Sequence, residues 1–182
     1  MYGLVNKAVE DLVISTKGES TWKVVKQRAG IIDPVFISMQ NYDDKVTYDL
    51  VAAASSELNI QAEDILRSFG RHWILYTARE GYGDLLDFSG NSLIEFIENL
   101  DNMHARIAVS MPDLNPPSFD HRETSSGDLE VHYYSDRPGL GHMVVGLLEG
   151  LIEKFNETAQ VEYVQTKHAL GYETFTIKFG AQ

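Results

Sequence analysis

Tyr133, Ser135 and Arg137 stand at alternate positions of a run that Pro138-Gly139 stops at once. A strand is expected from Asp128 to Arg137, and strand side chains alternate between faces. One phenol, one hydroxyl and one guanidinium then point the same way, and all three donate hydrogen bonds. Such a trio suits a ligand that carries carboxylates, because Arg can grip a carboxylate with two parallel bonds. Similar sets also occur as cross-strand neighbours on solvated sheets, so the pattern admits that plainer account.

The second chemically informative residue is His104. Leu93, Phe96, Ile97, Leu100, His104 and Ile107 follow i, i+3/i+4 spacing within a helix expected over 92–109, so they share one face. An imidazole thus interrupts an apolar, core-facing stripe. Burying it without a partner costs a few kcal/mol. A backbone carbonyl would satisfy it, and so would iron, since haem is commonly held by a single proximal His. Haem also has an apolar ring and two propionates, which the trio of donors would suit. Burying several hundred Å² of ring at ~25 cal/mol per Å² would contribute on the order of 10 kcal/mol. No His-Glu-x-x-His pattern competes, and the histidines at 72, 121, 132, 142 and 168 are scattered.

These residues need a frame, and the chain divides into two kinds of pattern. Leu4, Val5, Ala8, Val9, Leu12 and Val13 recur at helical spacing, and Gly18 closes that segment. Further helices are expected at Thr21 to Ala29, from about Asp44, and at Ile60 to Thr77, with Gly81-Tyr82-Gly83-Asp84 breaking the pattern. Ser89 to Ser92 offers caps for the helix that bears His104. Beyond Pro116-Pro117 the period changes to that of strands: Ser118 to Arg122, Asp128 to Arg137, Val161 to Lys167 and Glu173 to Phe179. One helix, about Leu140 to Asn156, interrupts them. The last two strands flank His168-Ala169-Leu170-Gly171 as a hairpin. Helices first and strands later indicate an α+β fold.

The 182 residues suit one domain with a substantial core. A net charge of −12 with no basic tract argues against nucleic acid and against anionic membrane surfaces. The absence of cysteine excludes disulfides, zinc–thiolate sites, Cys nucleophiles and thiolate-ligated haem. The first residues lack a signal-peptide layout and no apolar run reaches membrane-spanning length, so a cytoplasmic location is expected.

In register, these features resemble the H-NOX family, the haem nitric oxide/oxygen binding domains, which include the haem domain of soluble guanylate cyclase and stand-alone bacterial proteins. The resemblance runs over the whole chain. It takes in Met1-Tyr2-Gly3-Leu4-Val5-Asn6, Tyr48 to Ser55, Asn99-Leu100-Asp101 before His104, Pro117-Ser118-Phe119, and His132 to Arg137. It implies one domain over 1–182, with a helical distal lobe at about 1–60 and a proximal lobe at about 61–182. That lobe would hold a four-stranded antiparallel sheet, with haem b (iron protoporphyrin IX) between the lobes. It implies His104 as axial ligand and Tyr133, Ser135 and Arg137 as the propionate clamp. Pro117 would pack against the ring, and Leu4 and Val5 would lie against it from the distal side.

Family members that hold oxygen resemble one another in a distal Tyr. Met143 matches that position, with His142 its neighbour, and Trp73 is the other distal candidate. Without a Tyr donor, NO and CO are the expected ligands and no lasting O₂ complex forms. The resemblance implies a sensor without catalysis of its own: NO weakens the link between iron and His104, the helix of His104 shifts, and a separate histidine kinase or nucleotide cyclase responds. Two alternatives stay open: a haem-free module that binds a hydrophobic acid, and an enzyme that oxidises NO.

Overall fold

The computed structural model describes residues 1–32, 35–165 and 171–180. They form two compact units, Met1–Phe69 and Gly70–Gln182.

The N-terminal unit is helical. Helix α1 (Gly3–Lys17) ends at Gly18, whose φ of 85° suits glycine and stops the helix. Helices α2 (Glu19–Arg28) and α3 (Asp44–Leu58) pack against it. Asp43 caps α3 by accepting from the Lys45 N–H. The buried side of α1 runs through Asn6, Ala8, Val9 and Val13, whereas Leu4, Val5 and Leu12 are only half-buried. Asn6 is a polar insertion in this core, and its Oδ1 accepts from the Thr47 hydroxyl at 2.6 Å.

Helix α4 (Ala62–His72) leaves this unit and continues as a π-helical turn, Trp73–Thr77, into helix α5 (Ala78–Asp87). The expected break at Gly81-Tyr82-Gly83-Asp84 does not occur. Helical glycine costs only about 1 kcal/mol relative to alanine, which neighbouring turns can absorb. The helix expected over 92–109 is two helices, α6 (Leu93–Glu98) and α7 (Leu100–Ala108), parted at Asn99. Ser92 caps α6 by accepting from the Glu95 N–H.

The C-terminal unit carries the sheet: β1 (Ser118–Glu123), β2 (Leu129–Tyr134), β3 (Ala159–Gln165) and β4 (Glu173–Phe179), in the order β1-β2-β4-β3 and antiparallel throughout. Helix α8 (Gly141–Lys154) connects β2 to β3. The expected β3–β4 pairing is present; its connection, including His168, lies outside the described residues. One core holds Leu93, Phe96, Ile97, Leu100 and Met103 of α6–α7, Val144, Leu148 and Leu151 of α8, and Leu129, Val131, Phe175 and Ile177 of the sheet. Helices α4 and α8 approach closely through small residues. A Cβ on Gly70 would overlap the Met143 carbonyl, and one on Gly150 would press on Ile74. Mixed helix and antiparallel sheet make the fold α+β.

Candidate functional site

Helix α7 presents His104 inward at the edge of the core. The ring is partly buried, and its Nδ1 is fully buried with no partner in hydrogen-bond geometry. Burial holds the imidazole below its ordinary pKa, against the opposing influences of Asp101 and of the nearby Pro117 carbonyl. A buried orphan nitrogen in a native core calls for an explanation. Metal-ligating histidines commonly bind through one nitrogen and donate the other N–H to a backbone carbonyl. The Pro117 carbonyl is close enough to the His104 ring to influence it and is a candidate for that acceptor.

The trio of donors assembles differently from expectation. Strand β2 ends at Tyr134, so Ser135 and Arg137 lie in the turn beyond it and strand alternation does not place them. Pro138 and Gly139, with φ of 76° at the glycine, pull the chain out of the sheet early. Hydrogen bonds group the three instead. The Ser135 side chain bonds the Tyr133 phenol and accepts from the Arg137 backbone N–H at 3.1 Å. Arg137 Nη1 donates to the Asn115 carbonyl at 2.6 Å, joining the turn to the segment that carries Pro117. Tyr133 is 4% exposed, and burial is the chief cause that raises its phenol pKa.

Phe119 links the two sets. Its ring centroid lies 6.5 Å from that of His104 and 5.4 Å from that of Tyr133. Asp101, one turn before His104, accepts from the Phe119 N–H at 3.1 Å and so ties α7 to β1. The Phe119 ring therefore stands between His104 and Tyr133, and the turn of Ser135 and Arg137 is tied to Tyr133 and to the segment that carries Pro117.

The other predicted residues lie elsewhere. Leu4 and Val5 sit on α1 of the N-terminal unit. Trp73 begins the π-helical turn and packs against the core of the C-terminal unit, and Met143 is in the first turn of α8. Trp73 follows Gly70, the residue seated on the Met143 carbonyl, by one turn. Among the remaining histidines, His132 meets Glu130 at 2.6 Å, His142 sets an edge against Tyr163, and His72 stacks on Tyr76. Three contributors escape sequence reasoning from spacing alone: Asp101, Phe119 and Glu173. Only Asp101, three residues before His104, carries a signal, since i, i+3 places both on one side of a helix.

Among the described residues no group of three or more His, Cys, Asp or Glu could hold a metal ion. An ion at His104 would need to bring most of its own ligands, as porphyrin iron does.

An α+β frame that buries an imidazole near Tyr, Ser and Arg donors suits a ligand that offers both a metal and carboxylates, and the class of protein follows from similarity to known proteins. The Haem-NO-binding family model matches residues 2–163. Soluble guanylate cyclase gcy-32 of Caenorhabditis elegans is 32% identical over 157 residues, 85% of this chain and 23% of that protein. Guanylate cyclase soluble subunit beta-2 of Rattus norvegicus is 42% identical over 96 residues, 53% of this chain and 14% of that protein. The chain thus spans less than a quarter of the length of these relatives. Two solved structures share the fold. An H-NOX protein from S. oneidensis in the Fe(II)NO state gives a TM-score of 0.88 at 19% identity, covering 100% of both chains. The unliganded Fe(II) H-NOX protein from K. algicida gives 0.82 at 21%, covering 100% of this chain and 98% of that one.

The chain belongs to the Haem-NO-binding family, and its fold is that of solved H-NOX domains. Among the described residues no helix is long and apolar enough to cross a membrane.

Proposed function

We propose that this H-NOX domain senses NO, and also binds CO, at a five-coordinate ferrous haem b held by His104. A separate cytoplasmic partner, a histidine kinase or a nucleotide cyclase, reads the signal. The domain would run over 1–182, with a helical distal lobe at about 1–60 and a proximal lobe at about 61–182. The observation that carries the proposal is the placement of Phe119, against His104 on one side and Tyr133 on the other. An apolar ring between an imidazole and a phenol supports a site for a ligand that is apolar, metal-bearing and acidic.

Bound there, haem would supply an iron able to take a diatomic gas. His104 would hold that iron through one ring nitrogen, and the Pro117 carbonyl would be available to accept its second N–H. Tyr133, Ser135 and Arg137 hold the propionates, with charge-assisted bonds from the guanidinium the strongest of the set. Pro117 would pack against the porphyrin, and Leu4 and Val5, half-buried on α1, would offer it apolar surface. Trp73 and Met143 are the distal candidates, and neither is a Tyr that could stabilise bound O₂. Because α7 carries His104, release or capture of that imidazole is felt by α7 and, through Asp101, by β1. A ligand shifts such a pair of states only by its difference in affinity for them, and about 5.5 kcal/mol moves populations from 1:99 to 99:1.

The test is an absorption spectrum of the purified ferrous protein alone, with CO, with NO and in air. The proposal expects a strong Soret band that shifts with CO and NO and no lasting oxy spectrum. A folded protein that takes up no hemin overturns it, and a stable oxy complex overturns the gas assignment. His104→Gly should lose haem or accept free imidazole in place of the side chain.

A further inference from the structure

We propose that Tyr163 is a positioning residue for the carboxylate clamp: it holds the Glu173 carboxylate against the start of α8, so that Tyr133 keeps its hydroxyl for a carboxylate of the haem. The inference rests on the haem assignment above.

Glu173 opens β4 directly opposite Tyr133, which lies opposite Phe119 of β1. Residues directly opposite share a face of a sheet. A carboxylate only 5% exposed therefore sits beside the central phenol of the clamp. Left to itself, a buried carboxylate takes whatever donor is nearest, because leaving it unpaired is costly. Tyr133 is such a donor, and it would then be lost to an incoming ligand.

The structure prevents this. The Tyr163 hydroxyl donates to Glu173 Oε2 at 2.5 Å, while the hydrogen-bond partner of the Tyr133 phenol is Ser135. Tyr163 is itself held, its ring stacked on Phe175 with centroids 4.7 Å apart and planes at 19°. His142 meets the same ring in a T-shaped contact, with centroids 5.3 Å apart. Gly141, the first residue of α8, leaves the room that this arrangement needs. A Cβ there would overlap both the Tyr163 hydroxyl and the Glu173 carboxylate. The start of a helix also favours a negative charge. Burial, then the Glu173 hydrogen bond and charge, raise the Tyr163 phenol far above its ordinary pKa, so it stays a donor.

The signature of this arrangement is rescue by a second deletion. Tyr163→Phe keeps the stacked ring and removes the hydroxyl, freeing Glu173 to engage Tyr133. Tyr163→Phe/Glu173→Leu removes the competing acceptor as well. Haem loss from the ferric holoprotein to excess apomyoglobin should quicken about fivefold in Tyr163→Phe and return to within about twofold of wild type in the double variant. Circular dichroism checks that each variant is folded, and Tyr163→Phe/Glu173→Met, which also lacks a carboxylate or amide acceptor, replaces the double variant if leucine prevents folding. A single variant that keeps haem like wild type overturns the inference, as does a double variant that loses haem at least as fast as the single. A wild-type protein that binds no haem overturns the underlying assignment and this one with it. Normal haem uptake without the rescue overturns this one alone.

Discussion

The carboxylate of Asp101 accepts the backbone N–H of Phe119 at 3.1 Å, joining the helix that bears His104 to the first strand of the sheet across 18 residues of chain. Strand β1 is an edge strand, paired only with β2. Its outward N–H groups are unpaired by the ladder, and Asp101 satisfies one of them at the point where Phe119 stands between His104 and Tyr133. A shift of α7 would therefore be transmitted to β1 by a charged hydrogen bond as well as by side-chain packing.

Removing that bond should loosen α7 without opening the core. Asp101→Ala is expected to lower unfolding stability by about 1 kcal/mol, the usual net contribution of such a bond. Asp101→Asn, which keeps an acceptor, should lose less. Urea denaturation of both variants distinguishes the two, and equal losses would show that the carboxylate charge, not the bond to Phe119, is responsible.

The approach of α4 to α8 makes a second expectation. A methyl at Gly70 meets the Met143 carbonyl and the Leu147 N–H, both backbone groups that cannot rotate away. Gly70→Ala should therefore cost about 1–3 kcal/mol through overpacking, outweighing the gain from better helix propensity. Denaturant unfolding checks the sign: a stabilised variant would mean that the helices separate freely. In the gas-bound protein the same substitution should displace Met143 and alter the CO stretching frequency.

Several elements are legible in the sequence because local physics decides them. The stripe of α1 and its stop at Gly18 follow from periodicity and a positive φ, and the stripe of α6–α7 exposes His104 as its odd member. What fails is what tertiary packing decides. Gly81 and Gly83 remain within a helix because the chain on both sides is committed to it. Strand β2 stops three residues before Arg137, so the face shared by Tyr133, Ser135 and Arg137 comes from turn hydrogen bonds and not from alternation. Glu173 beside Tyr133 depends on which strands pair and in what register, and no local pattern states that. Tyr133, Ser135 and Arg137 can be picked out of the sequence; their surroundings cannot.

The outer face of the sheet offers a pH-dependent test apart from the haem site. Glu130 accepts from His132 at 2.6 Å and from Arg122 at 2.7 Å, and the His132 hydrogen bond is the main cause that holds its carboxyl below the ordinary value. A carboxyl lowered in the folded state binds fewer protons there than in the unfolded chain. Its contribution is thus complete above the unfolded value near 4.5 and is lost as pH falls through the lower folded one. Glu130→Gln should flatten this acid limb in stability-against-pH curves and leave slopes at higher pH unchanged. Because the pair with Arg122 lies at the surface, added salt should shrink the difference between wild type and variant. An acid limb equally steep in both proteins would place the titrating carboxyl elsewhere.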